Sequence, residues 1–246
     1  MAYELHYWPT IQGRGEFIRL ALEAGGVPYV DVARGAKAQG QGLPAMLHYL
    51  QDETVLRPPF ACPFLVDGRK VIGQAAAILL YLGPRLGLVG KSEADQLWTH
   101  QIQLTIADAV DEVHDTHHPV GSSLYYEDQK PEAKRRVRDV LDNRLPKFLS
   151  WFEAILQRNA RNAGRLSQHL VGAKLSYADL SLFQLVEGLR YAFPKGGARA
   201  LKKAPRVLAL HEGVRRQRRV AAYLASERRV PFNELGIFRR YPELDG

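Results

Sequence analysis

Cysteine is almost missing from this chain: one residue, Cys62, among 246. A single thiol cannot build an intrachain disulfide framework or a cysteine-based zinc site, and it fits a reducing cytosol. Long apolar runs are missing too. Nothing approaches the roughly 18 consecutive apolar residues of a membrane-spanning helix, so a membrane span is not expected. The opening residues, MAYELHYWPT, carry neither a basic stretch nor an apolar core, and no secretory signal is expected. Internal repeats and low-complexity segments are absent. Acidic residues are in deficit, 26 against 34 Lys and Arg, for a net charge of +8. That balance favours anionic ligands without selecting nucleic acid. The strongest basic run, Val214-Arg215-Arg216-Gln217-Arg218-Arg219, has no interleaved aromatics and reads as a solvated helix end. A third glycine is lacking after Gly13-x-Gly15, where position 18 is Ile18, so a nicotinamide-binding Rossmann reading is rejected.

What is present is a globular composition, 46% hydrophobic and 24% charged, with length enough for two domains. Residues 59–82 form the most informative stretch. Pro59 to Val66 is an apolar run of strand length, Asp67-Gly68 a hairpin turn, Arg69 to Ile72 a second strand. Gln74 to Leu82 reads as a helix stopped by Gly83-Pro84. Pro63, inside the first strand, marks an edge, a bulge or a special turn, a cis Cys62–Pro63 bond among them. Upstream, Glu4 to Tyr7 reads as a strand and Gly15 to Ala24 as a helix ended by Gly25-Gly26. Pro28 to Ala33 is a further strand, Arg34 to Gly42 a loop, and Leu43 to Leu50 a short helix. The order β-α-β-α-β-β-α describes an α/β domain over residues 1–84.

Beyond the linker at 83–90, residues 92–246 read as all-α. Ser92 with Asp95 can cap a helix from Glu93 to about His117. A second helical pattern runs from Pro131 to about Arg158, with Pro146 expected to kink or split it. Ser176-Tyr177-Ala178-Asp179 is a capping box, with Leu175 and Leu180 as a hydrophobic staple, opening a helix to Tyr191. Shorter helices are expected near Pro205 to Val214 and Arg219 to Ser226, then an irregular tail.

The strand–proline–Asp-Gly–strand–Gln–helix pattern resembles the second half of the thioredoxin-like domain of cytosolic glutathione transferases. Leu5-His6-Tyr7-Trp8 followed by Gly13-Arg14-Gly15-Glu16 is similar to the N-terminal signature of their tyrosine-type branch, and the box at Ser176 to one in their helical domain. The likeness spans nearly the whole chain. It implies an α/β thioredoxin-like N-terminal domain that binds glutathione (1–84) and an all-α C-terminal helical domain lining the second-substrate pocket (92–246). It further implies a cytoplasmic homodimer in detoxification, in which the thiolate of the co-substrate glutathione attacks a small electrophile.

Residue roles follow from the same resemblance. The Tyr7 hydroxyl would hydrogen-bond the glutathione sulfur, with Arg14 as a nearby cation; both would lower a thiol pKa that is about 8.5 when free. Trp8 stands among the glutathione-contacting residues. A cis Pro63 would expose the Cys62 backbone to the cysteinyl part. The family's Gln-Ser-x-Ala-Ile signature stands here as Gln74-Ala75-Ala76-Ala77-Ile78, so at Ala75 a hydroxyl is replaced and helix-start N–H groups are left to hold the glutamyl carboxylate. Gln74 and Asp108 would meet the α-amino group, Asp108 from the neighbouring subunit. One more residue separates Tyr7 from Gly13 than in most relatives, which makes Thr10 a substitute donor.

Plainer readings stand beside these: Tyr7 as a strand aromatic, Arg14 as a solvated arginine, Cys62 as a small buried hydrophobe, Asp108 as part of a solvated helix face. His114, His117 and His118, beside Asp111 and Asp115, share a helix face. Without a cysteine or a distant histidine they complete no recognisable zinc motif, and no metal is expected. The resemblance puts them, with Tyr125 and Tyr126, at the border of the second-substrate pocket. Two other functions stay open: a non-catalytic glutathione-binding or assembly module on the same fold, and a glutathione-dependent reductase or lyase using Cys62.

Overall fold

A computed structural model describes residues 2–163 and 167–245. The chain divides into two compact units, Met1–Leu88 with Arg218–Pro231, and Val89–Gln217 with Phe232–Gly246. The first contains β1 (Tyr3–His6), α1 (Gly15–Gly25), β2 (Tyr29–Asp31), α2 (Leu43–Gln51), β3 (Phe64–Asp67), β4 (Lys70–Gly73) and α3 (Ala75–Leu86). The second contains α4 (Glu93–His114), α5 (Lys130–Asp139), α6 (Leu145–Asn162), α7 (Tyr177–Ala192), α8 (Gly196–Leu201) and α9 (Pro205–Arg215). A last helix, α10 (Arg218–Leu224), returns to the first unit. Among the described residues no helix is long and apolar enough to cross a membrane.

In the first unit the sheet order is β2-β1-β3-β4, with β1 parallel to β2 and antiparallel to β3. Leu5 pairs with Leu65 and His6 with Phe64. Because side chains alternate along a strand, Leu5 and Leu65 share one face. There they pack with Ile18 and Leu22 of α1 and Ile78 and Leu82 of α3, all fully buried. Phe64 and Val66 take the other face, against Ala33 and Met46. Each such side chain contributes roughly 1.5–3 kcal/mol.

Three expected boundaries move, each for a backbone reason. The strand expected from Pro59 begins only at Phe64. Pro58, Pro59 and Pro63 have no N–H to give a ladder, and the Cys62–Pro63 bond is cis. The strand expected to reach Ala33 ends at Asp31, and Val32–Arg34 tightens into a 3-10 turn. The third helix does not stop at Gly83-Pro84 but runs to Leu86 and ends at Gly87, φ 67°. Pro84 removes the bond to the carbonyl of Leu80, and Leu80 is 40% exposed, so solvent can take that carbonyl.

The second unit shows the same local logic. Ser92 caps α4, its hydroxyl accepting from the Asp95 N–H at 3.1 Å, although α4 ends at His114 rather than His117. Pro146 sits at the start of α6, and the turn before it, Val140–Arg144, widens to a π-helix. Widening gives the proline ring the room that an α-turn would deny it. The helix α8, which begins with two glycines, was not expected. The tail after α10 is irregular but not loose: Ile237 and Phe238 are buried, and the Asp245 carboxylate accepts the N–H groups of Lys195 and Gly196 at 2.9 Å.

The capping box of α7 is fully buried at Asp179. One carboxylate oxygen accepts the Ser176 N–H at 2.7 Å and the Ser176 hydroxyl at 2.9 Å; the other accepts the Leu170 N–H at 2.8 Å. Asp179→Ala strands all three donors and should cost about 3 kcal/mol or more in urea denaturation, since each buried orphan costs roughly 1–3 kcal/mol; a loss below about 1 kcal/mol would contradict this account. His169 Nδ1 stands 3.3 Å from the same carboxylate, which raises its pKa, chiefly by hydrogen bonding and against burial. A raised histidine contributes stability that is complete below its unfolded pKa and lost as pH rises through the folded value. His169→Gln should therefore lower the urea midpoint at about pH 5.5 and leave it unchanged at about pH 9.

Candidate active site

Three chain segments converge on one edge of the sheet. His6 ends β1, Phe64 begins β3 and Gly73 ends β4, and these three are register partners. The residues that continue them past the edge are therefore Tyr7, Pro63 and Gln74. Antiparallel pairing thus brings together residues far apart in sequence.

Tyr7 is only 4% exposed. Its ring occupies space that two glycines leave open. A Cβ on Gly15 would stand 2.4 Å from Tyr7 Cδ1, and one on Gly13 only 2.0 Å from the phenol oxygen. Gly13 also has φ +44°, a conformation that side chains resist. The Gly-x-Gly pair is thus a slot for the phenol. The Arg14 backbone N–H donates to the Tyr7 oxygen at 2.9 Å. That bond leaves the hydroxyl's own proton for another acceptor. Burial raises the Tyr7 pKa against the opposing pull of Arg14, its N–H and its charge, so the phenol stays protonated and remains a donor near neutrality.

The loop from Trp8 to Gln12 is anchored by its last residue. Gln12 Nε2 donates to the Val230 carbonyl at 2.5 Å, and the Gln12 carbonyl accepts the Glu16 N–H at 3.0 Å. Arg19, fully buried in α1, lies 5.8 Å from the Tyr7 ring centroid and donates to the Ile11 carbonyl at 3.4 Å. Trp8 is 40% exposed on this loop. Thr10 is exposed at its turn, and Arg14 is half-buried at the helix start.

On the neighbouring segments, Cys62 is a half-buried free thiol whose pKa burial pushes up, the opposite of what a thiolate nucleophile needs. Gln74 has φ 63°, and among the described residues it alone combines a side chain beyond glycine with positive φ. Such strain concentrates at functional sites. Ala75 opens α3, whose first N–H groups lack intrahelical partners and favour an anion. Asp108 belongs to the second unit and is exposed on α4.

Sequence reasoning missed Gln12, Glu16 and Arg19 as supports of the site. Glu16 and Arg19 are spaced i,i+3 on α1, and that spacing was visible. Their complete burial was not, because the partners of Glu16, Tyr223 and Arg229, lie two hundred residues on, while Arg19 is held by Glu16 and Asp31.

The family model described as "Glutathione S-transferase, C-terminal domain" matches residues 114–227. The chain is 24% identical over 223 residues to a glutathione S-transferase of Plasmodium falciparum, covering 90% of this chain and 95% of that one. It is 28% identical over 240 residues to glutathione S-transferase 2 of Onchocerca volvulus, covering 96% and 99%. The solved structure of prostaglandin synthase D of Nilaparvata lugens superposes with a TM-score of 0.70 at 22% identity, over 94% of this chain and 100% of that one.

The glycine slot makes a separate prediction. Gly15→Ala should destabilise the protein by about 1–3 kcal/mol through overpacking. Combined with Tyr7→Ala, the loss should be well below the sum of the two single losses, because the clash is with that ring. Additive losses in a double-mutant cycle would show that Gly15 is needed for some other reason.

Proposed function

We propose that the chain is a glutathione S-transferase that conjugates the glutathione thiolate to small electrophiles, with Tyr7 as the group that stabilises the thiolate. The observation that carries this reading is the state of the Tyr7 hydroxyl: its oxygen is already engaged by the Arg14 N–H, its pKa is raised, and its proton is left to give. A free thiol with pKa about 8.5 is only a few per cent thiolate at neutral pH. A donor aimed at the sulfur, with the Arg14 cation near it, favours the anion and supplies the nucleophile.

The neighbouring residues support the same assignment. In this reading Trp8, Cys62 and Pro63 contact the peptide, the last two by presenting backbone at the cis bond. Gln74, the α3 start at Ala75, and Asp108 of a second copy hold the γ-glutamyl end. The raised Cys62 thiol argues against a reductase or lyase that uses it as nucleophile. We also propose a homodimer. Phe60 is 97% and Leu56 91% exposed on one loop of the first unit, an apolar surface that a partner would cover. The free Cys62 thiol fits a cytoplasmic protein acting in detoxification.

The test is the ultraviolet absorbance of bound glutathione against pH. In the parent protein the bound thiol should ionise well below its free value, and Tyr7→Phe should raise that pKa by at least about one unit, or 1.4 kcal/mol. Cys62→Ala should keep full conjugating activity. Glutathione that binds with an unshifted thiol in both proteins would instead make the chain a binding module.

A further inference from the structure

His114, His117 and His118 cluster at the end of α4 and in the turn after it. Their ring centroids are 4.8 to 5.0 Å apart, and one ligand nitrogen from each lies within 4.8 Å of the others. His117 is 1% exposed. Its Nε2 is 2.7 Å from the Ile237 carbonyl oxygen. A carbonyl only accepts, so Nε2 carries the proton and Nδ1 presents a lone pair. That Nδ1 is buried and has no hydrogen-bond partner.

The other two rings are held by neighbours of their own. His118 Nδ1 lies 3.3 Å from the Gln129 amide Nε2. His114 Nδ1 is 3.6 Å from the Asp115 carboxylate. His117 and His114 thus each turn one nitrogen to an oxygen acceptor, and the Gln129 amide fixes the His118 ring. Metal-bound histidines are oriented in this way, by carbonyls or carboxylates on the nitrogen that does not ligate.

We propose that His114, His117 and His118 form a three-nitrogen site for a divalent first-row transition metal, with a fourth position open. Imidazole donors without thiolate suit zinc, copper, nickel or cobalt and disfavour magnesium and calcium. No metal was expected from the sequence because no fourth ligand completes a motif, but three protein ligands suffice where the fourth position takes water or another molecule. A tetrahedral site with zinc–nitrogen bonds of about 2.1 Å needs nitrogens about 3.4 Å apart. The half-buried rings of His114 and His118 would rotate inward to meet the fixed His117. The charge of Arg239 acts on both His117 and His118, which favours an anion as the fourth ligand.

The experiment uses the full chain without an affinity tag. Zinc is titrated by calorimetry, and cobalt is followed by its visible absorption, which reports nitrogen ligation directly. One equivalent should bind per chain. His114→Ala and His118→Ala should each weaken binding by at least about tenfold, while His48→Ala, in the other unit, should leave it unchanged. Both informative variants remove half-buried rings, so the buried His117 is spared. Absence of a stoichiometric site, or equal affinity in parent, His114→Ala and His118→Ala, would overturn the proposal.

Discussion

The buried carboxylate of Glu16 is the constraint on which the first unit depends. It is fully buried, and a bare carboxylate there would cost several kcal/mol in lost hydration. Three groups offset that cost: Arg19 at 3.5 Å, the Tyr223 hydroxyl at 2.8 Å, and Arg229. Two of the three come from the segment 218–231. That segment therefore completes the unit that opens the chain. Arg219 adds to the same attachment, its guanidinium donating to the carbonyls of Ala24 and Gly25 at the end of α1, where a cation is favoured by the helix dipole.

Arg19 links this charge cluster to the site. Burial alone would push its guanidinium down, but Asp31 and Glu16 outweigh burial and hold it above its usual value. It is therefore a permanent cation, bonded to Asp31 at 2.7 Å. From that fixed point it reaches the Tyr7 ring and the Ile11 carbonyl. The phenol is thus held on three sides, by Arg19, by the glycine slot and by the Arg14 N–H. Such pre-organisation suits the role proposed for Tyr7, which is to place one proton against a sulfur.

Much of the fold was legible residue by residue, and the misses share a cause. Asp67-Gly68, the Ser92 cap and the box at Ser176 act within a few residues, so their chemistry shows in the sequence. The late start of β3 and the extension of α3 past Pro84 were misjudged because a proline's effect depends on its surroundings. Pro63 ended a ladder, whereas Pro84 was tolerated because the carbonyl it strands is near solvent. At the candidate site, Tyr7, Arg14, Gln74 and Ala75 were singled out by a resemblance in their pattern. The raised thiol of Cys62 and the roles of Gln12 and Arg19 were not, since the first and last arise from burial and Gln12 is held by the distant Val230 carbonyl.

From the sequence alone came the division into an α/β part and a helical part and the cis-capable Cys62–Pro63 step. Local rules decide these: turn chemistry, capping and side-chain periodicity. Tertiary structure alone decided that residues 218–231 complete the first unit, that Gly13 and Gly15 exist to seat a ring, and that His117 holds an unpaired nitrogen. Each of these depends on which groups burial removes from water and which distant atoms replace it, and burial is a property of the folded chain rather than of any stretch within it.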